Sequence, residues 1–165
     1  MIELTNFILA MRATSSATEK VNIIKNSSSF IHNILEYTYN PFKQYHVTSK
    51  TCIKNKDKIT ESNCSLFELL DILTSRESTG HDAISLINNF AKNQFDPWIY
   101  KIIDKDLGIR VGDSIINKAV PGLIPTFKVA LAKEYEGKCD WNDSWYASRK
   151  LDGVRCLAVV DFEGK

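Results

Sequence analysis

Lys150-Leu151-Asp152-Gly153-Val154-Arg155 stands between two runs with strand character. Trp145-Tyr146-Ala147-Ser148 precedes it. Val154 to Val160 follows, with Val154, Cys156, Ala158 and Val160 able to share one face. An Asp-Gly pair makes a tight turn, which places Lys150 at a strand end beside that turn. A lysine there is positioned to act as a nitrogen nucleophile. The K-x-D-G-x-R pattern should arise at any one position only about once in 10⁵ by chance, and its strand context makes chance a still poorer explanation.

Upstream, the periodicity is helical. Leu4, Phe7, Ile8 and Met11 follow the i, i+3, i+4, i+7 spacing, as do Leu66, Leu69, Leu70 and Leu73, and Ala83, Leu86, Ile87 and Phe90. Ser65 and Glu68 make a capping box ahead of the second set. Asp96-Pro97 predicts a further helix start, with Ile99, Ile102, Ile103 and Leu107 inward and Gly108 at the C-cap. Pro121-Gly122-Leu123-Ile124-Pro125 breaks the helical pattern. Beyond it, Tyr135, Trp141, Trp145 and Tyr146 shift the composition toward strands, with the two tryptophans read as packing rather than base-stacking residues.

Between these elements, Gly108 and Gly112 flank Ile109-Arg110-Val111. Glycines allow close backbone approach, the following helix start offers N–H groups, and Arg110 can complete a phosphate clamp. The same segment also reads as an ordinary helix–turn–helix connection. Asp113 is read as the cap of the next helix rather than an anion ligand.

Net charge is +1, but residues 1–60 carry eight Lys/Arg against four Asp/Glu, and residues 61–100 two against six. Lys50, Lys54, Lys56 and Lys58 punctuate a polar loop that either contacts phosphates or is simply solvated. Cys52, Cys64, Cys139 and Cys156 form no C-x-x-C pair and, like His32, His46 and His81, are scattered. They read as reduced thiols, with no disulfide frame and no metal site. No apolar run approaches the roughly 20 residues of a membrane helix, and Met1-Ile2-Glu3-Leu4 does not open a secretory signal.

The Lys150–Arg155 hexapeptide resembles motif I of the covalent nucleotidyltransferases, the superfamily of ATP-dependent DNA ligases, RNA ligases and capping enzymes. Asp106 to Ser114, then Ile116-Asn117-Lys118-Ala119-Val120-Pro121-Gly122-Leu123-Ile124-Pro125, resembles the stretch that closes the helical DNA-binding domain of phage-type ATP-dependent DNA ligases. The resemblance covers about residues 66–165 and is firm from Asp106 onward. It implies a multidomain α and α+β protein: an all-α DNA-binding domain over 1–122, then over 123–165 the first strands of a nucleotidyltransferase (adenylation) domain, truncated.

The resemblance further implies that Lys150 is the nucleophile that attacks the α-phosphate of ATP, with Mg²⁺ neutralising the triphosphate. Arg155, Ser148 and Asp152 would bind the nucleotide, and Arg110, Gly108 and Gly112 would grip DNA. No metal ligand is assigned. Lys150 must lose its proton to react, and a free lysine holds it to a pKa of about 10.4; partial burial or neighbouring cations such as Arg149 would lower it. Asp152 either orients the lysine or makes the turn. Ser148 stands where family members often carry Glu or Gln to read adenine, which puts base recognition by that side chain in question. The family's later motifs are absent from the ten residues that follow, so an N-terminal fragment, catalytically incomplete by itself, is expected.

The implied activity is the sealing of nicks in double-stranded DNA through lysyl-AMP and DNA-adenylate intermediates, in replication, repair and recombination. The expected protein is a monomer in the cytoplasm of a bacterial or phage-infected cell, without membrane association. Two alternatives are a non-catalytic helical DNA-binding module with a vestigial motif, and an RNA ligase or capping-type enzyme.

Overall fold

The computed structural model describes residues 2–93, 97–126 and 142. All of these except Asn142 belong to one compact unit of the chain. They form eight helices: α1 (Ile2–Ala13), α2 (Ala17–Lys25), α3 (Ser29–Tyr39), α4 (Ser49–Lys54), α5 (Leu66–Ser75), α6 (Gly80–Asn93), α7 (Trp98–Ile103) and α8 (Asp113–Ala119).

The apolar stripes explain the packing. Leu4, Phe7, Ile8 and Met11 of α1 are buried, as are Leu66, Leu69, Leu70 and Leu73 of α5. Ala83, Ile84, Ile87 and Phe90 of α6 and Ile99, Ile102 and Ile103 of α7 join them in one core. Leu86 is only partly buried against that core. Each stripe is useless alone, because burying it requires another helix opposite. Side-chain caps define several starts: Ser16 and Ser28 accept N–H bonds at the N-termini of α2 and α3, and the Ser65–Glu68 capping box opens α5.

The α+β expectation is corrected. Among the described residues there is no strand, and what is described is all-α. The described chain beyond the Pro121-Gly122 turn is tied to α8. Ile124 donates its N–H to the Asn117 Oδ1 (2.9 Å), and its carbonyl accepts from Asn117 Nδ2 (2.8 Å). One side-chain amide of α8 thus takes both backbone groups that a strand would offer to a neighbour. Ile124 itself is buried in the helical core. Aromatic and β-branched enrichment, on which the strand reading rested, depends strongly on context. Trp145–Ser148 and Val154–Val160 lie outside the described residues.

One local expectation also changes. The lysine-bearing polar loop contains α4, anchored by the fully buried Cys52. The segment that follows α4 is pinned to α6 by buried amides. Asn88 donates from Nδ2 toward the carbonyls of Cys52 (3.2 Å), Asn55 (2.8 Å) and Lys58 (3.3 Å), while its Oδ1 accepts from the Tyr100 hydroxyl. Asn89 donates to the Ser62 carbonyl at 2.9 Å.

Removing a buried amide that satisfies several carbonyls leaves them without donors. Asn88→Ala should therefore lower unfolding free energy by about 2–3 kcal/mol, read by urea denaturation followed through helical circular dichroism. A change no larger than that of an exposed-site substitution would show that the α4–α6 connection stands without it.

Candidate nucleic-acid interface

The connector between α7 and α8 carries the described part of the candidate site. α7 ends earlier than its apolar spacing predicts. Asp104 is its C-cap, and Lys105 follows in the left-handed conformation (φ 59°). Lys105 N–H bonds the Ile102 carbonyl at 2.9 Å and Asp106 N–H bonds the Lys101 carbonyl at 3.0 Å, the paired bonds of a Schellman termination. Gly108 is therefore not the helix cap. The Lys105 ammonium donates to the carbonyls of Asn40 and Lys43. Burial pulls the Lys105 ammonium below the ordinary lysine pKa, with Glu36 opposing the shift.

Gly108 (φ 67°) and Arg110 (φ 52°) are also left-handed, so the connector reverses direction twice around Ile109. Cations from α1 and α2 hold it. Arg12, in the last turn of α1, donates from Nε to the Gly108 carbonyl and from Nη2 to the Leu107 carbonyl, both at 3.1 Å. Lys20, buried on α2, donates from Nζ to the carbonyls of Ile109 (2.9 Å) and Arg110 (3.1 Å). The elbow between α1 and α2 fixes the spacing of these two cations. Thr14 Oγ1 donates to the Glu19 carboxylate and accepts the Ser16 N–H at 3.1 Å.

Arg12, Thr14, Ser15, Lys20, Gly108 and Arg110 line an open cleft of about 700 Å³. Among the described residues, ion pairs within 4.0 Å are made by Lys43, with Glu36 and Asp71. The cleft's three cations make no ion pair within 4.0 Å there; the nearby carboxylates of Glu19 and Asp106 accept instead from Thr14 Oγ1 and the Gly108 N–H. Arg12 and Arg110 are exposed. The two bonds of Arg12 use two of the five donors of a guanidinium. A phosphodiester suits such a cleft: singly charged, rich in acceptors, and matched by guanidinium geometry.

Of the residues singled out from sequence, Gly108 and Arg110 line this cleft. Gly112 lies beyond it, as the N-cap of α8. Asp113 is the first residue of α8 rather than its cap, and its Oδ1 accepts the Ser114 N–H at 2.8 Å. Lys150, Arg155, Ser148 and Asp152 lie outside the described residues. Arg12 and Lys20 went unnoticed in the sequence. A lysine four residues before Ile24, on the buried face of a short helix, was the available signal. Among the described residues no group of His, Cys, Asp and Glu could hold a metal ion, and no helix is long and apolar enough to cross a membrane.

No family model matches the chain. The chain is 26% identical over 160 residues to the DNA ligase of Enterobacteria phage T4, and to that of phage T6 to the same degree. The match covers 88% of this chain and 32% of each relative, so the chain spans about a third of their length. A stretch of that extent necessarily takes in the Gly108–Gly112 connector. The relationship to DNA ligases is distant and partial.

A Cβ at Gly108 would stand 2.7 Å from Arg12 Nη2, in a left-handed backbone, whereas one at Gly112 would meet nothing within 4 Å. Gly108→Ala should cost about 1–2 kcal/mol and displace Arg12 from the Leu107 carbonyl. Gly112→Ala should stay within about 0.5 kcal/mol. Thermal unfolding of the two variants compares them directly, and equal losses would contradict the clamp geometry.

Proposed function

We propose that this chain is the DNA-gripping and nucleophile-bearing part of an ATP-dependent DNA ligase. The observation that carries the reading is the similarity to the two phage DNA ligases over most of this chain. The cleft of Arg12, Lys20 and Arg110 supports it independently, as a cationic surface suited to phosphates. In this reading the helical unit holds nicked duplex DNA through its backbone, without reading sequence. Such contacts position the duplex and carry no base information.

Lys150 supplies the chemistry. Its unprotonated Nζ attacks the α-phosphate of ATP, a nitrogen–phosphorus bond forms, and the bond to pyrophosphate breaks. The nucleotide then passes to the 5′-phosphate at the nick, and the 3′-hydroxyl displaces AMP to close the strand. Arg155 would meet the ribose or phosphates, while Ser148 and Asp152 would flank the nucleotide. Bound magnesium would neutralise the triphosphate and favour pyrophosphate departure. Because the chain spans about a third of its relatives, the full reaction is proposed for a polypeptide that joins it to the remainder of a ligase.

A non-catalytic DNA-binding module would share the cleft and lack this chemistry. The two are separated by ATP labelled at its α-phosphate, incubated with Mg²⁺ and followed by denaturing electrophoresis. In the longer polypeptide the label should sit on Lys150. Lys150→Ala and Lys150→Arg should both abolish it, since arginine keeps the charge but offers no usable nucleophile near neutral pH. The 165-residue chain alone should label negligibly. Labelling that survives both substitutions overturns the ligase reading.

A further inference from the structure

We infer that Lys20 is a positioning residue that sets Arg110 for the DNA backbone, rather than a phosphate ligand itself; the inference rests on the DNA-binding reading above. The ammonium of Lys20 is buried, with a residue exposure of 5%. Two of its N–H donors are spent on the carbonyls of Ile109 and Arg110. No carboxylate among the described residues pairs with it. Burying a cation without a counter-ion is costly, and the bonds to the connector are what the fold obtains in return.

What those bonds hold is specific. Arg110 is not glycine, yet its φ is 52°, a conformation that a residue with a Cβ leaves unless it is held. The Lys20 bond to the Arg110 carbonyl fixes the peptide on the C-terminal side of that residue. The bond to the Ile109 carbonyl fixes the peptide on its N-terminal side. With both flanking peptides immobilised, the direction in which the exposed Arg110 side chain leaves the backbone is set before any anion arrives. That is preorganisation: the ordering cost is met in folding and does not weaken binding. Arg12 performs the matching task one step upstream, on Leu107 and Gly108. It remains exposed and can also touch the ligand, whereas Lys20 is buried and keeps one N–H beyond the two that hold the connector.

The test is a double-mutant cycle on the 165-residue chain, with a fluorescent nicked duplex oligonucleotide as probe and binding read by anisotropy across a salt series. Arg110→Ala should weaken binding about five-fold or more and flatten the logarithmic salt dependence by about one phosphate, near 0.9. Lys20→Met should produce nearly the same loss and the same flattening, in a protein whose helical circular dichroism is unchanged at the assay temperature. The double variant should bind within about two-fold of Arg110→Ala alone, because residues acting as one unit are not additive. Should Lys20→Met fail to fold, Lys20→Gln replaces it in the cycle.

Losses that multiply would make Lys20 an independent contact and overturn the inference. So would Lys20→Met binding like the unaltered chain while Arg110→Ala binds weakly; in both cases the DNA reading stands. A chain that binds duplex with Arg110→Ala unimpaired overturns the role given to Arg110 and Lys20 together. No binding by the unaltered chain at low salt overturns the DNA reading itself.

Discussion

Four successive carbonyls, from Leu107 to Arg110, are held by two side chains that arrive from the other end of the sequence. This is the interaction on which the described structure turns. A connector with left-handed residues at Lys105, Gly108 and Arg110 has no ladder of its own to satisfy its backbone. Donors from Arg12 and Lys20 replace that ladder, and α2 and α8 are brought into contact along the same seam. Without the clamp, the backbone strain at Arg110 would have nothing to oppose it.

The electrostatic result follows from the same bonds. Carbonyl oxygens can accept from a cation without cancelling its charge. Arg12 and Lys20 are therefore structurally satisfied without an ion pair to a carboxylate. A carboxylate partner would have stabilised the connector as well, but it would have neutralised the surface. By contrast, Lys43 approaches Glu36 and Asp71, and lies 3.7 Å over the Tyr37 ring. Tyr37, whose hydroxyl donates to Asp71, has its pKa pushed up to about 12 by burial first and that hydrogen bond second. The seam around Tyr37 is internally balanced, and the cleft around Arg110 is not.

The helical core was legible where apolar residues repeat at helical spacing. The stripes of α1 and α5 needed nothing beyond local periodicity. α4 was hidden because its six residues bury one cysteine and are otherwise polar. The end of α7 was misplaced because a lysine, rather than a glycine, takes the left-handed position of its Schellman termination. The α+β class rested on aromatic-rich and alternating composition, which depends strongly on context, and the described residues are all helical, with the backbone of Ile124 bonded to the Asn117 amide. Within the candidate site, Gly108 and Arg110 stood out locally. Arg12 and Lys20, whose partners lie about 90 residues downstream, acquire their roles only in the folded chain.

The salt dependence of duplex binding by this chain reports how the cleft meets DNA. A cleft of cations without paired carboxylates should bind DNA by releasing counterions, which contributes about −0.9 to the log–log slope for each phosphate neutralised. The logarithm of the affinity should decline linearly with the logarithm of the salt concentration, superimposably for duplexes of unrelated sequence. Binding indifferent to salt, or strongly selective among sequences, would contradict it.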